Sequence, residues 1–142
     1  MSEVRRNGPG RAFRAGTWAS IVLLCLAPLA ALAEPPKVSE LLAKDLPELP
    51  GKEVVMLRVE YPPGGSDPIH RHDAHAYVYV LEGSVVMQVK GGPSVTLGPG
   101  QTFYEAPDDV HIVGRNASDT KAASFVVLLI KKKGAPALEV VK

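Results

Sequence analysis

Short apolar segments rich in β-branched residues, separated by glycine and proline turns, fill residues 52–133, and this pattern restricts the fold more than any other feature. Such runs are typical of strands, because branched side chains pack well on a pleated, half-buried surface. Short strands at regular spacing indicate an antiparallel sandwich or barrel, so we predict an all-β domain. The predicted strands cover residues 53–61, 76–81, 85–90, 95–97, 102–105, 110–113 and 122–130.

The first 33 residues have the features of a secretory signal peptide. The apolar segment 18–32 is followed by Ala33, and it has a second small residue at Ala31. It is shorter than the roughly 20 residues that a membrane span requires, and Pro28 interrupts it. We expect cleavage after Ala33 and a periplasmic or secreted protein, with an uncleaved anchor as the alternative. The basic residues before the apolar segment are Arg5, Arg6, Arg11 and Arg14.

The 109 residues that would remain, 34–142, are enough for one modest hydrophobic core. We divide them into a proline-rich N-terminal arm (34–51), a barrel (52–133) and a C-terminal tail (134–142). In the arm, Ser39 is a candidate cap for a short helix through Leu41, Leu42 and Lys44. The arm is expected to pack on the barrel or on a partner subunit.

The charge and cysteine content of residues 34–142, the mature chain expected after cleavage, argue against a nucleic-acid partner and against a disulfide. Residues 34–142 carry 12 Lys and Arg against 14 Asp and Glu, which argues against a nucleic-acid partner. No membrane partner is expected once the signal is removed. The single cysteine, Cys25, lies in the signal, so the mature chain has neither a thiol nor a disulfide.

Histidine is concentrated in one place, because three of the four histidines fall within six residues, at His70, His72 and His75. In a strand, side chains two residues apart face the same side, about 6–7 Å apart along the chain. His70 and His72 can therefore reach one ion with nitrogen–metal distances of about 2.0–2.1 Å. His75 joins them only if the chain bends before it. The fourth histidine, His111, lies in a separate turn-bounded segment that an antiparallel barrel can bring alongside.

Two interpretations of these histidines remain. They are ordinary surface or hydrogen-bonded side chains, or they form a metal site. The His-x-His spacing and the placement of the other two histidines favour the metal site. Imidazole ligands suit Fe, Ni, Cu, Zn or Mn, and spacing alone does not choose among these ions.

Residues 64–83 resemble the first motif of the cupin family, which reads glycine, five residues, His-x-His, three or four residues, glutamate, six residues, glycine. Gly64, His70, His72 and Gly83 match this motif in register. Ala76 stands where the glutamate is expected. The resemblance therefore carries over two histidines from this motif but no carboxylate.

Residues 100–116 resemble the second cupin motif, which reads glycine, five residues, Pro-x-Gly, two residues, histidine, three residues, asparagine. Gly100 and His111 match it in register. Ala106 and Asp108 replace the proline and the second glycine, and Asn116 comes one residue late. Together the two motifs imply a single antiparallel jelly-roll barrel of the cupin type.

The resemblance also implies that His70, His72 and His111 bind a divalent metal ion such as Fe, Mn, Zn or Ni. Loss of the motif glutamate leaves two arrangements open. Either His75 bends in to complete a four-histidine site, or three histidines hold the ion with water while His75 lines the pocket mouth. Glu105, which precedes His111, is either an acid or base of the pocket or a charged residue at a strand edge.

Three classes of function follow and stay open. A metal with open coordination positions supports an enzyme that acts on a small molecule, by dioxygenase chemistry or as a Lewis-acid isomerase or lyase. The alternatives are a metal-binding or small-ligand-binding protein without turnover, and a barrel without metal. Because uncovered strand edges invite association, we also expect a homodimer.

Overall fold

The computed structural model describes residues 34–142, which form ten strands and no helix. The predicted signal peptide, with its cleavage site after Ala33, lies outside the described residues. No helical membrane span is found among residues 34–142. The strands are β1 (Lys37–Asp45), β2 (Lys52–Tyr61), β3 (His70–Arg71), β4 (Ala74–Glu82), β5 (Val85–Val89), β6 (Val95–Leu97), β7 (Thr102–Glu105), β8 (His111–Asn116), β9 (Ala123–Lys132) and β10 (Glu139–Val140).

The ten strands form two five-stranded antiparallel sheets that share one core. The first sheet has the order β1-β2-β9-β4-β7, and the second has the order β10-β3-β8-β5-β6. Neighbouring strands such as β2 and β9, or β3 and β8, are distant in sequence, as a jelly roll requires. The predicted all-β jelly-roll fold is confirmed, and each of the seven predicted strands overlaps an observed one.

Alternation along β4 shows how the sequence builds the core. Ala76, Val78 and Val80 are buried, whereas Tyr77 and Tyr79 between them are exposed. Tyr77 and Tyr79 therefore lie on the outer surface of the barrel. Full burial of one aliphatic or aromatic side chain stabilises the fold by about 1.5–3 kcal/mol. Other members of the same core are Val59, Tyr61, Val85, Met87, Phe125 and Leu129.

The N-terminal arm does not form the predicted short helix. It forms β1 instead, which pairs with β2 from Lys37 opposite Glu60 to Asp45 opposite Glu53. A helix of a few residues has marginal stability, because its first turn orders several residues and gains only a single hydrogen bond. The open edge of β2 offers a whole row of backbone partners, so strand pairing is favoured. As a result, β1 is an edge strand with mostly exposed side chains.

Two residues of the sequence motifs have roles that fix the loops. Gly83 turns between β4 and β5 with φ 69°, and a Cβ there would lie 2.6 Å from the carbonyl oxygen of Ala122. Only glycine meets both constraints. The buried Asn116 amide donates to the carbonyl oxygens of Pro62 and Lys121, at 3.0 and 2.7 Å. It thereby ties the loop after β2 to the loop after β8.

Candidate metal centre

Strands from both sheets bring four polar side chains together inside the barrel. His70 on β3 lies directly opposite His111 on β8, and His72 immediately follows β3. Glu105 ends β7 in the other sheet. His70, Glu105 and His111 are all buried, and their donor atoms lie within 4.8 Å of one another. The structure thus brings together three of the four histidines that the sequence singles out.

Backbone carbonyl groups fix the orientation of two of the imidazoles. His70 Nδ1 lies 2.8 Å from the carbonyl oxygen of Pro68, and His72 Nδ1 lies 2.6 Å from that of Ala137. A carbonyl oxygen only accepts, so each Nδ1 carries the hydrogen and donates it. In the neutral rings each Nε2 therefore carries a lone pair. The two Nε2 atoms lie 3.3 Å apart.

Two lone pairs that face each other repel, and either a shared proton or a metal ion between them removes this repulsion. Two nitrogens bound to one ion at about 2.0–2.1 Å, with a ligand angle of roughly 90–110°, lie about 2.8–3.4 Å apart. The observed separation of 3.3 Å falls in that range. Donation of the outer ring hydrogen to a carbonyl is also typical of metal-binding histidines, because it fixes the tautomer. His70 and His72 therefore fit a metal ion.

The other two side chains leave buried polar atoms without hydrogen-bond partners among residues 34–142. These atoms are Glu105 Oε2 and both ring nitrogens of His111, although the Val113 backbone lies close enough to act on the His111 ring. Glu105 Oε2 lies 3.4 Å from His111 Nδ1 and 3.8 Å from His72 Nε2. A buried polar group without a partner costs about 1–3 kcal/mol. Three imidazoles and one carboxylate form a donor set that suits a divalent ion, which would satisfy Glu105 Oε2 and one of the two ring nitrogens of His111.

Burial shifts the pKa values of Glu105, His111 and His72 towards their neutral forms. It raises the pKa of Glu105 to about 7, and the negative charges of nearby aspartates act in the same direction. It lowers the pKa of His111 to about 4, and the neighbouring His70 ring adds to this effect. Burial also lowers the pKa of His72. The neutral imidazole is the form that binds a metal, and a cation is the partner that would keep the carboxylate ionised.

His75 does not join the cluster, which decides against the four-histidine arrangement, one of the two that the sequence leaves open. The predicted bend is present, because Asp73 adopts a φ of 44°. However, β4 begins directly after the bend with Ala74 buried, so alternation turns His75 outward. There His75 Nδ1 forms a 2.7 Å hydrogen bond with the Tyr104 hydroxyl. His75 also does not line the cavity at the cluster, so it is removed from the candidate ligands.

Glu105 places a carboxylate in the cluster from β7, whereas the glutamate of the first motif would have come from β4, at position 76. The interpretation of Glu105 as a strand-edge charge is wrong, because the residue is only 2% exposed. In the antiparallel pairing of β4 and β7, Ala76 and Glu105 are direct partners. Directly opposed residues share one face, with Cβ atoms about 4.5–5.5 Å apart. The small Ala76 side chain therefore leaves space for the Glu105 carboxylate beside the histidines.

The four side chains line a cavity of about 130 Å³ inside the barrel. Two further polar side chains line it, and the hydroxyl of one, Tyr61, donates a hydrogen bond to Oδ2 of the other, Asp67. Neither is predicted from the sequence, although Asp67 lies only three residues before His70. The rest of the lining is apolar and includes Leu57, Val59, Val78, Met87, Phe125 and Val127.

The fold is similar to solved structures of several enzymes. A DMSP lyase from Ruegeria pomeroyi superposes with a TM-score of 0.54 and 23% identity, over 62% of this chain and 43% of the lyase. A polyketide cyclase from Streptomyces resistomycificus gives a TM-score of 0.58 and 24% identity, over 78% of this chain and 73% of the cyclase. An oxalate oxidase in complex with the substrate analogue glycolate gives a TM-score of 0.58 and 27% identity, over 75% of this chain and 55% of the oxidase. This chain thus spans less than half of the lyase and little more than half of the oxidase. At 23% and 24% identity, the lyase and the cyclase show only that this chain has the same fold as they have.

A family comparison adds evidence that is independent of these superpositions. A search of curated proteins finds no significant match. The family model for the cupin domain, however, matches residues 57–129, which is just over half of the chain. The matched region contains both sequence motifs and all four side chains of the cluster. With the jelly-roll topology, it confirms the resemblance seen in the sequence: this chain belongs to the cupin family.

Proposed function

We propose that this cupin is a metal-dependent enzyme that acts on a small molecule bound in the cavity. The observation that carries the proposal is the facing pair of Nε2 atoms of His70 and His72, 3.3 Å apart, with both outer nitrogens donating to carbonyl oxygens. The unpaired buried atoms of Glu105 and His111 add two further donor groups beside this pair. The proposed ligands are these four residues, and the proposed ion is divalent Fe, Mn, Zn or Ni.

The size and lining of the cavity define a class of substrate. In another protein, an apolar cavity of about 150 Å³ holds one benzene molecule. The cavity of about 130 Å³, part of which the ion would take, would therefore accommodate a body of no more than about six non-hydrogen atoms. Apolar walls suit a carbon skeleton, whereas the histidine cluster and Asp67 suit its polar groups. We infer that the substrate is a small organic acid or hydroxy-carbonyl compound.

The polar groups of the cavity favour chemistry of the isomerase or lyase type. When bound, a divalent ion would act as a Lewis acid on a substrate oxygen. Tyr61 donates to one oxygen of Asp67 and so holds this carboxylate in one orientation on the cavity wall. Burial raises the pKa of Asp67, which makes its carboxylate a stronger base than that of an exposed aspartate. Asp67 is the candidate acceptor of a proton from a substrate carbon.

Metal content tests the centre itself. The protein recovered from the periplasm, purified without a histidine tag, is expected to carry about one divalent ion per chain by elemental mass spectrometry. His70→Ala is expected to lose the ion, because it removes one of the two facing nitrogens. His75→Ala is the matched control, since it removes a nearby histidine that lies outside the cavity. Equal metal content in the wild type and the His70→Ala variant would contradict the site.

Turnover tests the assignment of the base. The metal-loaded chain is expected to convert one member of a panel of small hydroxy acids under anaerobic conditions. Asp67→Asn is expected to abolish this conversion and to retain the ion, because the amide keeps the size of the side chain but accepts no proton. Unchanged turnover in Asp67→Asn would exclude Asp67 as the base.

Oxygen-dependent chemistry is the second candidate, and the similarity to the oxalate oxidase favours it. Four protein ligands leave open positions on a six-coordinate ion for a substrate and a second small ligand. Oxygen consumption that requires both the substrate and bound iron or manganese would select this class. Conversion that proceeds without oxygen would select the Lewis-acid class. Ligand binding without consumption in either condition would identify a binding protein without turnover.

We further propose that the chain is exported and that the signal is removed after Ala33. The support is the sequence of the signal itself, with a basic stretch, an apolar segment and small residues before the cleavage site. N-terminal sequencing of the protein recovered from the periplasm is expected to begin at Glu34. Recovery of the protein only in the cytoplasm, with its N-terminus intact, would contradict export.

We also propose that the protein forms a homodimer. β1 is an edge strand with exposed apolar residues, among them Val38 and Leu42, and the outer face of β4 exposes Tyr77 and Tyr79. An uncovered edge strand invites pairing with a second copy. Size-exclusion chromatography with light scattering is expected to give the mass of two chains. The mass of one chain at micromolar concentration would exclude this proposal.

A further inference from the structure

We propose, resting on the proposed metal site, that the C-terminal tail (residues 134–142) is part of the metal centre. Ala137 is its positioning residue, because its carbonyl oxygen accepts the hydrogen of His72 Nδ1 at 2.6 Å. This hydrogen bond turns His72 Nε2 towards His70. The partners are 65 residues apart in sequence, so the tail must stay in place for the ring to keep this orientation.

The beginning of the tail is held by a buried lysine. Lys131 is 4% exposed, and its Nζ donates to the Ala135 carbonyl oxygen and to Glu53 Oε1, both at 2.5 Å. The backbone nitrogen of Gly134 donates to the same Glu53 oxygen at 3.0 Å. Gly134 has a φ of 74°, which permits a sharp turn directly after β9. The tail therefore leaves the barrel in a fixed direction.

The end of the tail is held by exposed contacts. In the two-residue pairing of β10 with β3, Glu139 lies opposite Arg71. Arg71 donates from Nε and Nη2 to Glu139 Oε2, at 3.0 and 2.8 Å. The backbone nitrogen of Val141 donates to the carbonyl oxygen of Ile69 at 3.0 Å. Exposed ion pairs and two-residue strand pairings at a sheet edge open more easily than a packed core. The end of the tail is therefore the part that detaches most easily from the barrel.

The same tail also forms part of the cavity wall. Ala137 and Leu138 line the cavity together with the four side chains of the cluster. Displacement of the tail would therefore open the cavity and release the His72 ring in one movement. Access to the cavity and the orientation of one proposed ligand are coupled through this single segment.

The decisive experiment reads the His72 tautomer in the protein stripped of metal. A long-range ¹H–¹⁵N correlation spectrum of the full chain shows which ring nitrogen carries the hydrogen. In the wild type, His72 is expected to carry it on Nδ1. Deletion of residues 137–142 is expected to give the mixture of tautomers of an unrestrained ring. His75 is the internal control, because its ring contacts Tyr104 outside the tail, and its tautomer is expected to stay as in the wild type.

Two point variants keep the inference testable if the deletion does not fold. Arg71→Ala and Glu139→Gln remove the ion pair of the tail and leave all four proposed ligands in place. Each is expected to speed the transfer of bound Zn²⁺ to a chelator by about two- to fivefold, which is the range of an exposed ion pair. Arg58→Ala is the matched control, since it breaks a comparably exposed pair with Glu60 on β2. It is expected to leave the release rate unchanged.

The outcomes separate this inference from the proposed function. A mixed His72 tautomer in the deletion variant, with faster Zn²⁺ release in the two point variants, supports the inference. A folded deletion variant with an unchanged His72 tautomer overturns it and leaves the metal site standing. A wild-type chain that binds no Zn²⁺ overturns the proposed function, whereas the tautomer of the metal-free protein still decides whether the tail holds His72.

Discussion

The inner and outer faces of the β4–β7 pair each carry polar side chains, but in opposite surroundings. On the inner face, Glu105 lies opposite Ala76 and has a buried carboxylate oxygen without a hydrogen-bond partner among residues 34–142. On the outer face, His75 hydrogen-bonds with the Tyr104 hydroxyl at 2.7 Å. The rings of Tyr104 and Tyr77 lie 5.2 Å apart on the same exposed surface.

The difference between the faces shows that burial, and not residue type, decides which polar groups are available for chemistry. Exposed His75 has a side-chain partner and water, so it has no need of an ion. The inner groups are removed from water, and each must pair with another group or with a cation. Sequence proximity to His70 and His72 is therefore a weaker guide to a ligand than the face on which a side chain lies.

The largest expected effect comes from removing a histidine of the inner cluster. His111→Ala is expected to weaken metal binding by more than about 100-fold, because loss of a group that only orients a ligand already costs roughly 10–100-fold. Calorimetric titration of the metal-free protein with Zn²⁺ measures the effect, and a circular dichroism spectrum checks the fold. If a folded His111→Ala variant bound Zn²⁺ with the Kd of the wild type, His111 would not be a ligand.

The next largest effect is expected from changing the carboxylate of Glu105, which reaches the cluster from β7. Glu105→Gln is expected to weaken Zn²⁺ binding by about 10–100-fold, because the amide keeps the shape but loses the charge. The double variant Ala76→Glu with Glu105→Ala moves the carboxylate to the directly opposed position on β4. It is expected to recover most of the affinity. Recovery no better than in Glu105→Ala alone would show that the two positions are not equivalent.

A smaller effect is expected from crowding the inner face. A Cβ at Gly114 would lie 3.1 Å from the Tyr61 hydroxyl and 3.2 Å from His111 Cε1. Gly114→Ala is therefore expected to displace the His111 ring slightly and to weaken Zn²⁺ binding by less than about tenfold. Gly92→Ala is the matched control, because its Cβ would meet Val89 at the same 3.2 Å in a turn outside the cavity. Equal affinities of the two variants would refute the steric effect on His111.

The smallest expected effect belongs to the outer face. His75→Ala is expected to leave the Kd for Zn²⁺ unchanged and to lower the free energy of unfolding by about 0.5–1.5 kcal/mol, the contribution of one hydrogen bond. Urea denaturation measures the change. Tyr104→Phe removes the same bond, so the double variant is expected to lose little more than either single variant. Loss of Zn²⁺ binding in His75→Ala would reverse the assignment of the two faces.

Much of the fold is predictable from the sequence, because short-range signals are strong in this chain. Runs of β-branched residues predict the central strands, and glycine and proline turns bound them. The arm is predicted incorrectly as a helix, because a weak local preference yields to pairing with the open edge of β2. The strand β10 is not predicted, and β3 enters only as the strand geometry assumed for His70 and His72, since two residues carry no periodic signal.

For the candidate site, the sequence by itself determined the cupin motifs, and with them the assembly of His70, His72 and His111. Only the tertiary structure decided that His75 faces outward, because this depends on the residue at which β4 begins after Asp73. It also decided that Glu105 reaches the cluster and that Ala137 orients His72. The physical reason is that motif spacing is local, whereas these contacts join residues 29 or more positions apart and depend on strand register and on the path of the tail.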